Sequence, residues 1–168
     1  MCSIGIAQSV GAFMFESWAS PADWAWGLPL IVVTVLVHVI GLVGVRRVAL
    51  RMWSRTILRG HPTIAFVTVV GSTTLLATSL HAIEATIWAT AYRSIGALPD
   101  YRSAMLYSLN AMTSYGHTSL QLEDRWHLMG AIQALNGSLL FGLSTAFLFG
   151  IIGRVFASID TSHQHGAM

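Results

Sequence analysis

The chain has 168 residues, of which 54% are hydrophobic and only 10% are charged. An ordinary soluble domain is about 25% charged, so this chain has too few polar residues to cover a surface that faces water. The composition excludes a nucleic-acid-binding protein, a disordered segment and most soluble enzymes. It indicates a membrane protein with lipids as its surroundings. The sequence shows no nucleotide-binding loop, catalytic triad or paired-cysteine zinc motif, so neither enzyme activity nor a cofactor is expected.

The N-terminal segment, residues 1–28, is expected to lie at the membrane surface. Residues 1–15 are apolar but too short to span a bilayer, and they lack the basic start of a cleaved signal peptide. We expect an interfacial helix or a lid there. Residues 16–28 carry three tryptophans and two acidic residues, which is typical of the headgroup level.

Three stretches reach the length of about 20 apolar residues that a membrane-spanning helix needs. They run from Pro29 to about Val45 or beyond, from Pro62 to about Tyr92, and from about Leu128 to Gly153. The first begins with Pro29, which the first turn of a helix tolerates. The sequence therefore predicts an all-helical membrane protein, with two outer helices in residues 29–101 and a flexible tail in residues 155–168.

The basic residues predict the orientation of the chain. All nine are arginines, and six of them flank the predicted spans on one side: Arg46, Arg47, Arg51, Arg55, Arg59 and Arg154. Because cytoplasmic loops carry an excess of basic residues, we expect the 46–59 link and the C-terminus to be cytoplasmic. The segment between Arg93 and His127 then faces outward.

That outward segment contains an apolar patch, Ser103 to Met112, of about 10 residues, which is too short to span. A polar run from Thr113 to Ser119 follows it. Irregular backbone at membrane depth survives only where protein covers it or where it lines a water-filled path. The pattern favours a re-entrant, interfacial or covered helix, and several copies of the chain would be needed to close a pore around an ion.

The stretch AMLYSLNAMTSYGHTS, from Ala104, resembles the pore helix and TxTTVGYGD filter of potassium channels, and LFGLSTAF resembles their inner helix. Residues 81–153 are similar to small bacterial proteins described as ion-channel-family or two-pore-domain-like. The resemblance implies a re-entrant pore helix, filter and inner helix in residues 102–154, a potassium-channel-like homotetramer and a bacterial inner (plasma) membrane. It implies passive conduction of a monovalent cation, with potassium expected.

Carried over position by position, the resemblance assigns the filter to Thr113, Ser114, Tyr115, Gly116, His117 and Thr118, with Ser119 where the family has aspartate. It makes Gly137 and Gly142 candidate hinges of the inner helix. A second alignment, with a two-residue deletion, pairs Tyr115 and Gly116 with the Tyr-Gly of the family. Thr118 replaces a glycine whose left-handed backbone aims a carbonyl at the ion, so strict potassium selectivity stays open. A ring of His117 side chains could bind a metal or become cationic at low pH.

Ionisable residues inside the predicted spans are further candidates, because an unpaired charge in a bilayer is costly. His81 and Glu84 share one helix face with Trp88 and Tyr92. They could form a proton, metal or gating site, or they could support the filter together with Asn110 by bonding pore-segment backbone, Arg93 or Arg102. His38 lies in mid-span as a packing residue or a ligand.

Two other functions stay open at this point. His38 and His81 lie on separate spans and could hold haem or a metal, although the predicted depths of the two residues differ. Alternatively, the altered filter permits a channel-like scaffold that does not conduct. His163 and His165 form a His-x-His pair in the predicted tail. They could simply be part of a solvated segment, or they could bind metal adventitiously.

Overall fold

The computed structural model describes residues 21–57, 62–116 and 120–165, among which there are helices and loops and no strand. The helices are α1 (Pro21–Ile57), α2 (Pro62–Ser94), α3 (Tyr101–Met112) and α4 (His127–His165). A short 3-10 turn, Asp124–Trp126, precedes α4. The all-helical prediction is confirmed for the described residues. The expected interfacial helix at residues 1–15 lies outside them.

Helices α1, α2 and α4 are each long and apolar enough to cross a membrane. The three predicted spans are therefore confirmed as helices of that length and composition. The helix α3 has 12 residues, which give a length of about 18 Å against a hydrocarbon core of about 30 Å. It is the half-length helix that the apolar patch predicted.

Two predicted boundaries are wrong. Helix α1 begins at Pro21, so residues 21–28 are helical and Pro29 lies inside the helix rather than in its first turn. A membrane helix tolerates an internal proline because neighbouring groups can satisfy the backbone carbonyl that loses its N–H partner. Helix α4 continues to His165, so most of the predicted flexible tail is helical. No glycine or proline between Gly153 and His165 interrupts it.

The turn that joins α2 to α3 is defined by local hydrogen bonds. Gly96 has a φ of 72°, and the Ala97 N–H donates to the Tyr92 carbonyl oxygen over 2.9 Å, which is the pattern of a Schellman cap. Asp100 then caps the start of α3, accepting from the Ser103 backbone N–H at 2.9 Å and from its hydroxyl at 2.7 Å. These two hydrogen bonds lower the pKa of the Asp100 carboxyl below its usual value, and the bond from the Ser103 backbone N–H has the larger effect.

The described residues form two compact units. The first consists, within the described residues, of 21–34, 84–116 and 120–138. It contains α3, packed against α2 and α4 in an apolar core that includes Trp88, Tyr107 and Met129. The second consists of Val35–Ile83 and the chain from Leu139 onward. Its core contains Val69, Ile151 and Val155.

A chain of buried hydrogen bonds, the Gln133 network, runs through the core of the first unit. The Tyr92 hydroxyl donates to Gln133 Oε1 over 2.8 Å. Gln133 Nε2 donates to the Ser108 hydroxyl at 2.7 Å and to the Ser108 carbonyl oxygen at 3.1 Å. The Ser108 hydroxyl in turn donates to the Ala85 carbonyl oxygen at 2.7 Å. The network therefore connects α2, α3 and α4 through one amide side chain.

We predict that Gln133→Ala lowers the free energy of unfolding by about 1–3 kcal/mol, because it removes the buried hydrogen bonds that Gln133 makes with Tyr92 and Ser108. The measurement is an SDS-titration unfolding curve of the purified protein. Gln121 is an exposed loop residue, so Gln121→Ala is the matched control and should change the free energy by less than about 0.5 kcal/mol. Equal effects of the two substitutions would contradict the structural role of the Gln133 network.

Candidate functional site

The C-terminus of α3 ends in a complete Schellman cap. The Tyr115 N–H donates to the Asn110 carbonyl oxygen at 3.0 Å, and the Ser114 N–H donates to the Ala111 carbonyl oxygen at 3.1 Å. Ser114 occupies the left-handed position of the motif, with a φ of 53°. The same motif closes α2, where Gly96 occupies that position. A left-handed backbone costs a residue with a Cβ atom about 1–2 kcal/mol, so Ser114 carries strain that Gly96 avoids.

The C-terminal end of α3 packs directly on α4 at Gly137. A Cβ atom at Gly137 would overlap the backbone carbonyl of Met112, whereas a Cβ atom at Gly142 would meet nothing within 4 Å. The two candidate hinges therefore differ in their packing. Gly137 is required where it stands because two backbones approach closely. A bending role for either glycine stays a prediction.

The loop after α3 keeps the first four predicted filter residues together and exposed: Thr113, Ser114, Tyr115 and Gly116. The side chain of Tyr115 is 83% exposed, and Gly116 has a φ of 91°. Ser114 and Gly116 line an open groove of about 240 Å³ together with Asn110, Tyr107 and a stretch of α4. Asn110 thus lies beside the loop, and its role in supporting the filter stays a prediction. His117 and Thr118 lie outside the described residues.

A second group of polar side chains lies in the second unit, where α1, α2 and α4 each contribute one residue. His38 Nε2 and His81 Nε2 each lie 3.1 Å from Ser144 Oγ. The centroids of the two imidazole rings are 5.1 Å apart. All three side chains are buried, His38 completely. We call these three residues the His-Ser-His cluster.

Packing holds the rings of the His-Ser-His cluster in place. The ring of Phe141 lies 4.3 Å from that of His81, measured between centroids. Near both histidines, Gly41 of α1 packs so closely on Leu80 of α2 that a Cβ atom would collide with the leucine side chain. The predicted difference in depth does not keep His38 and His81 apart, because their ring centroids are 5.1 Å from each other. The midpoint of α1 is residue 39 and that of α2 is residue 78, so each histidine lies within one turn of the middle of its helix.

The predicted role of His81 and Glu84 in supporting the filter stays a prediction. Glu84 is completely buried in the first unit. The groups that hold α3 by hydrogen bonds are those of the Gln133 network, of which the sequence reasoning singled out only Tyr92. It also missed Ser144. A signal was available, since the polar residues Gln133, Asn136 and Ser144 recur at helical spacing inside an otherwise apolar span.

Replacing the strained cap residue should stabilise the protein. We predict that Ser114→Gly raises the free energy of unfolding by about 1 kcal/mol, since glycine adopts the left-handed conformation without steric cost. The reverse exchange at the other cap, Gly96→Ser, should lower the free energy of unfolding by about 1 kcal/mol, because the backbone there is also left-handed. SDS-titration curves measure both. A destabilising Ser114→Gly would show that the serine side chain has a further role.

The two glycines of α4 provide a second matched pair. Gly137→Ala should destabilise the protein by about 1–3 kcal/mol, because a backbone carbonyl cannot rotate away from the new methyl group. Gly142→Ala should be neutral or stabilising by up to about 1 kcal/mol, through the higher helix propensity of alanine. The unfolding free energies of both variants test the close contact between Gly137 and the Met112 carbonyl. An unchanged free energy for Gly137→Ala would contradict that contact.

Comparison of the chain with protein-family models, with curated proteins and with solved structures finds no match in any of the three.

Proposed function

We propose that this chain is one subunit of a homotetrameric, potassium-channel-like cation channel in a bacterial inner membrane. In this proposal α3 is the re-entrant pore helix, the 113–118 loop is the constriction and α4 is the inner helix. The basic link after α1 faces the cytoplasm. The ion is a monovalent cation, with potassium expected from the filter resemblance.

The observation that carries the proposal is the way in which α3 is held. It is a 12-residue helix that lies along the chain between α2 and α4, which are both of spanning length. It packs on these two helices, and the Gln133 network bonds it to both. The irregular backbone that follows a re-entrant helix is tolerated at membrane depth only where protein buries it or where it lines a water-filled path. The exposed polar loop that follows α3 is suited to line such a path.

The direction of α3 supports cations rather than anions. The C-terminal end of a helix carries about half a negative charge, because its last carbonyl groups point along the axis. The loop with Thr113 and Tyr115 begins at that end, so a cation beside the loop is stabilised. Backbone carbonyls and hydroxyls of the loop supply oxygen atoms of the kind that replace a hydration shell.

The surface of α4 supports association of several copies. Large apolar side chains on this helix are exposed in the single chain: Leu135, Leu139, Phe141, Leu143, Phe149 and Phe156. In the proposed tetramer some of these residues pack against neighbouring copies and others line the path below the loop or contact lipid. A single loop cannot surround an ion, so the proposal requires this association.

Flux through proteoliposomes tests the proposal. The purified chain is reconstituted and its potassium and sodium fluxes are recorded, while its stoichiometry is measured by native mass spectrometry in the same detergent. We expect a tetramer and a cation flux above that of empty liposomes. A folded tetramer without flux would favour the non-conducting scaffold, and a folded monomer without flux would refute both readings.

Two tyrosines form a matched pair for locating the constriction. Tyr115 lies in the loop and is 83% exposed, while Tyr101 lies at the opposite end of α3 and is 49% exposed. We predict that Tyr115→Ala changes the ratio of potassium to sodium flux by about tenfold, because the filter geometry sets selectivity. Tyr101→Ala should leave the ratio unchanged. Similar ratios for Tyr115→Ala and the wild-type chain would place the constriction elsewhere.

A further inference from the structure

The His-Ser-His cluster is not used by the proposed conduction path, and its chemistry calls for a separate explanation. Polar and ionisable side chains inside a membrane are expensive and mark functional positions. Here two imidazoles from different helices aim the same atom, Nε2, at one hydroxyl oxygen over 3.1 Å. Imidazole nitrogens are the ligands that zinc and neighbouring transition metals prefer.

The spacing of the three atoms suits a tetrahedral metal site. With metal–ligand bonds of about 2.0 Å, neighbouring ligands of a tetrahedral zinc ion are about 3.3 Å apart. Both Nε2–Oγ distances, at 3.1 Å, are close to that value. One ring nitrogen of His38 and one of His81 lie within 4.8 Å of each other. The three side chains are therefore close enough to be ligands of one ion.

We infer that His38, His81 and Ser144 form a binding site for one divalent transition-metal ion of the zinc class, within the second unit and at the middle of the membrane helices. The imidazoles are the principal ligands and the hydroxyl is the neighbouring oxygen donor.

Preorganisation supports this site. Phe141 stacks against His81, and the close packing of Gly41 on Leu80 keeps α1 and α2 together beside the ligands. Ligand side chains held by packing lose less freedom on binding and coordinate an ion more tightly. The inference is independent of conduction, since its test measures binding rather than flux.

The test uses the full chain in detergent, stripped with a chelator and then dialysed against zinc chloride. Metal analysis should give one zinc ion per chain. His38→Ala and His81→Ala should each weaken binding by more than about 100-fold, since even outer-shell substitutions cost 10–100-fold. The matched control replaces both His163 and His165 by alanine, and it should keep the bound zinc. Zinc that is lost in this control but kept in His38→Ala would be adventitious tail binding and would overturn the inference.

A second variant keeps the inference testable if the alanine variants fail to fold. Ser144→Cys, made with Cys2→Ser so that it carries the only thiol, places a sulfur between the two imidazoles. With cobalt chloride this variant should show thiolate-to-cobalt charge-transfer absorption and the visible bands of a tetrahedral ion. Folded protein without these bands, or wild-type chain without zinc, would mean that the three residues form only a hydrogen-bonded packing cluster.

Discussion

The amide of Gln133 is the interaction on which the first unit depends. The polar groups that join α3 to its neighbours are buried, so their partners must come from protein rather than from water. Gln133 Nε2 donates to the hydroxyl and to the carbonyl oxygen of Ser108, and Gln133 Oε1 accepts from Tyr92, which links α2, α3 and α4 through one residue. The amide has no large hydrophobic gain of its own, but losing these buried hydrogen bonds would cost about 1–3 kcal/mol. This constraint keeps α3 in one place.

The position of the loop follows from two further constraints at the C-terminal end of α3. Gly137 lets the Met112 carbonyl approach the backbone of α4, and the Schellman cap turns the chain sharply at Ser114. A serine in a left-handed position stores a small strain that glycine would relieve. Such strain is common at functional sites, and here it falls at the first turn of the proposed constriction.

The His-Ser-His cluster is a second group of buried polar side chains in an apolar protein. Its three side chains come from three helices, so the cluster depends on the relative register of α1, α2 and α4 in the second unit. It is separate in composition from the Gln133 network. If the cluster holds a metal ion, the ion would crosslink the three helices and stabilise the folded chain.

Several features were readable in the residue order because they depend on local physics. The three long apolar stretches predicted the long helices, and the patch at Ser103 to Met112 predicted a helix too short to span. Boundaries were less accurate. The start at Pro21 was missed because a proline inside a helix is tolerated only where neighbouring groups satisfy the carbonyl that loses its N–H partner. The extension to His165 was missed although no glycine or proline interrupts the residue order there.

The amino-acid sequence by itself determined that this chain is helical, apolar enough for lipid and interrupted by one short helix with a polar loop, since length and hydrophobicity are local properties. Only the tertiary structure decided which polar residues meet. Gln133 with Ser108, Gly137 with Met112, and His38 with His81 are each separated by at least 25 positions along the chain. Their contacts depend on how far each helix extends and how it is rotated against its neighbours, and packing between helices sets both quantities.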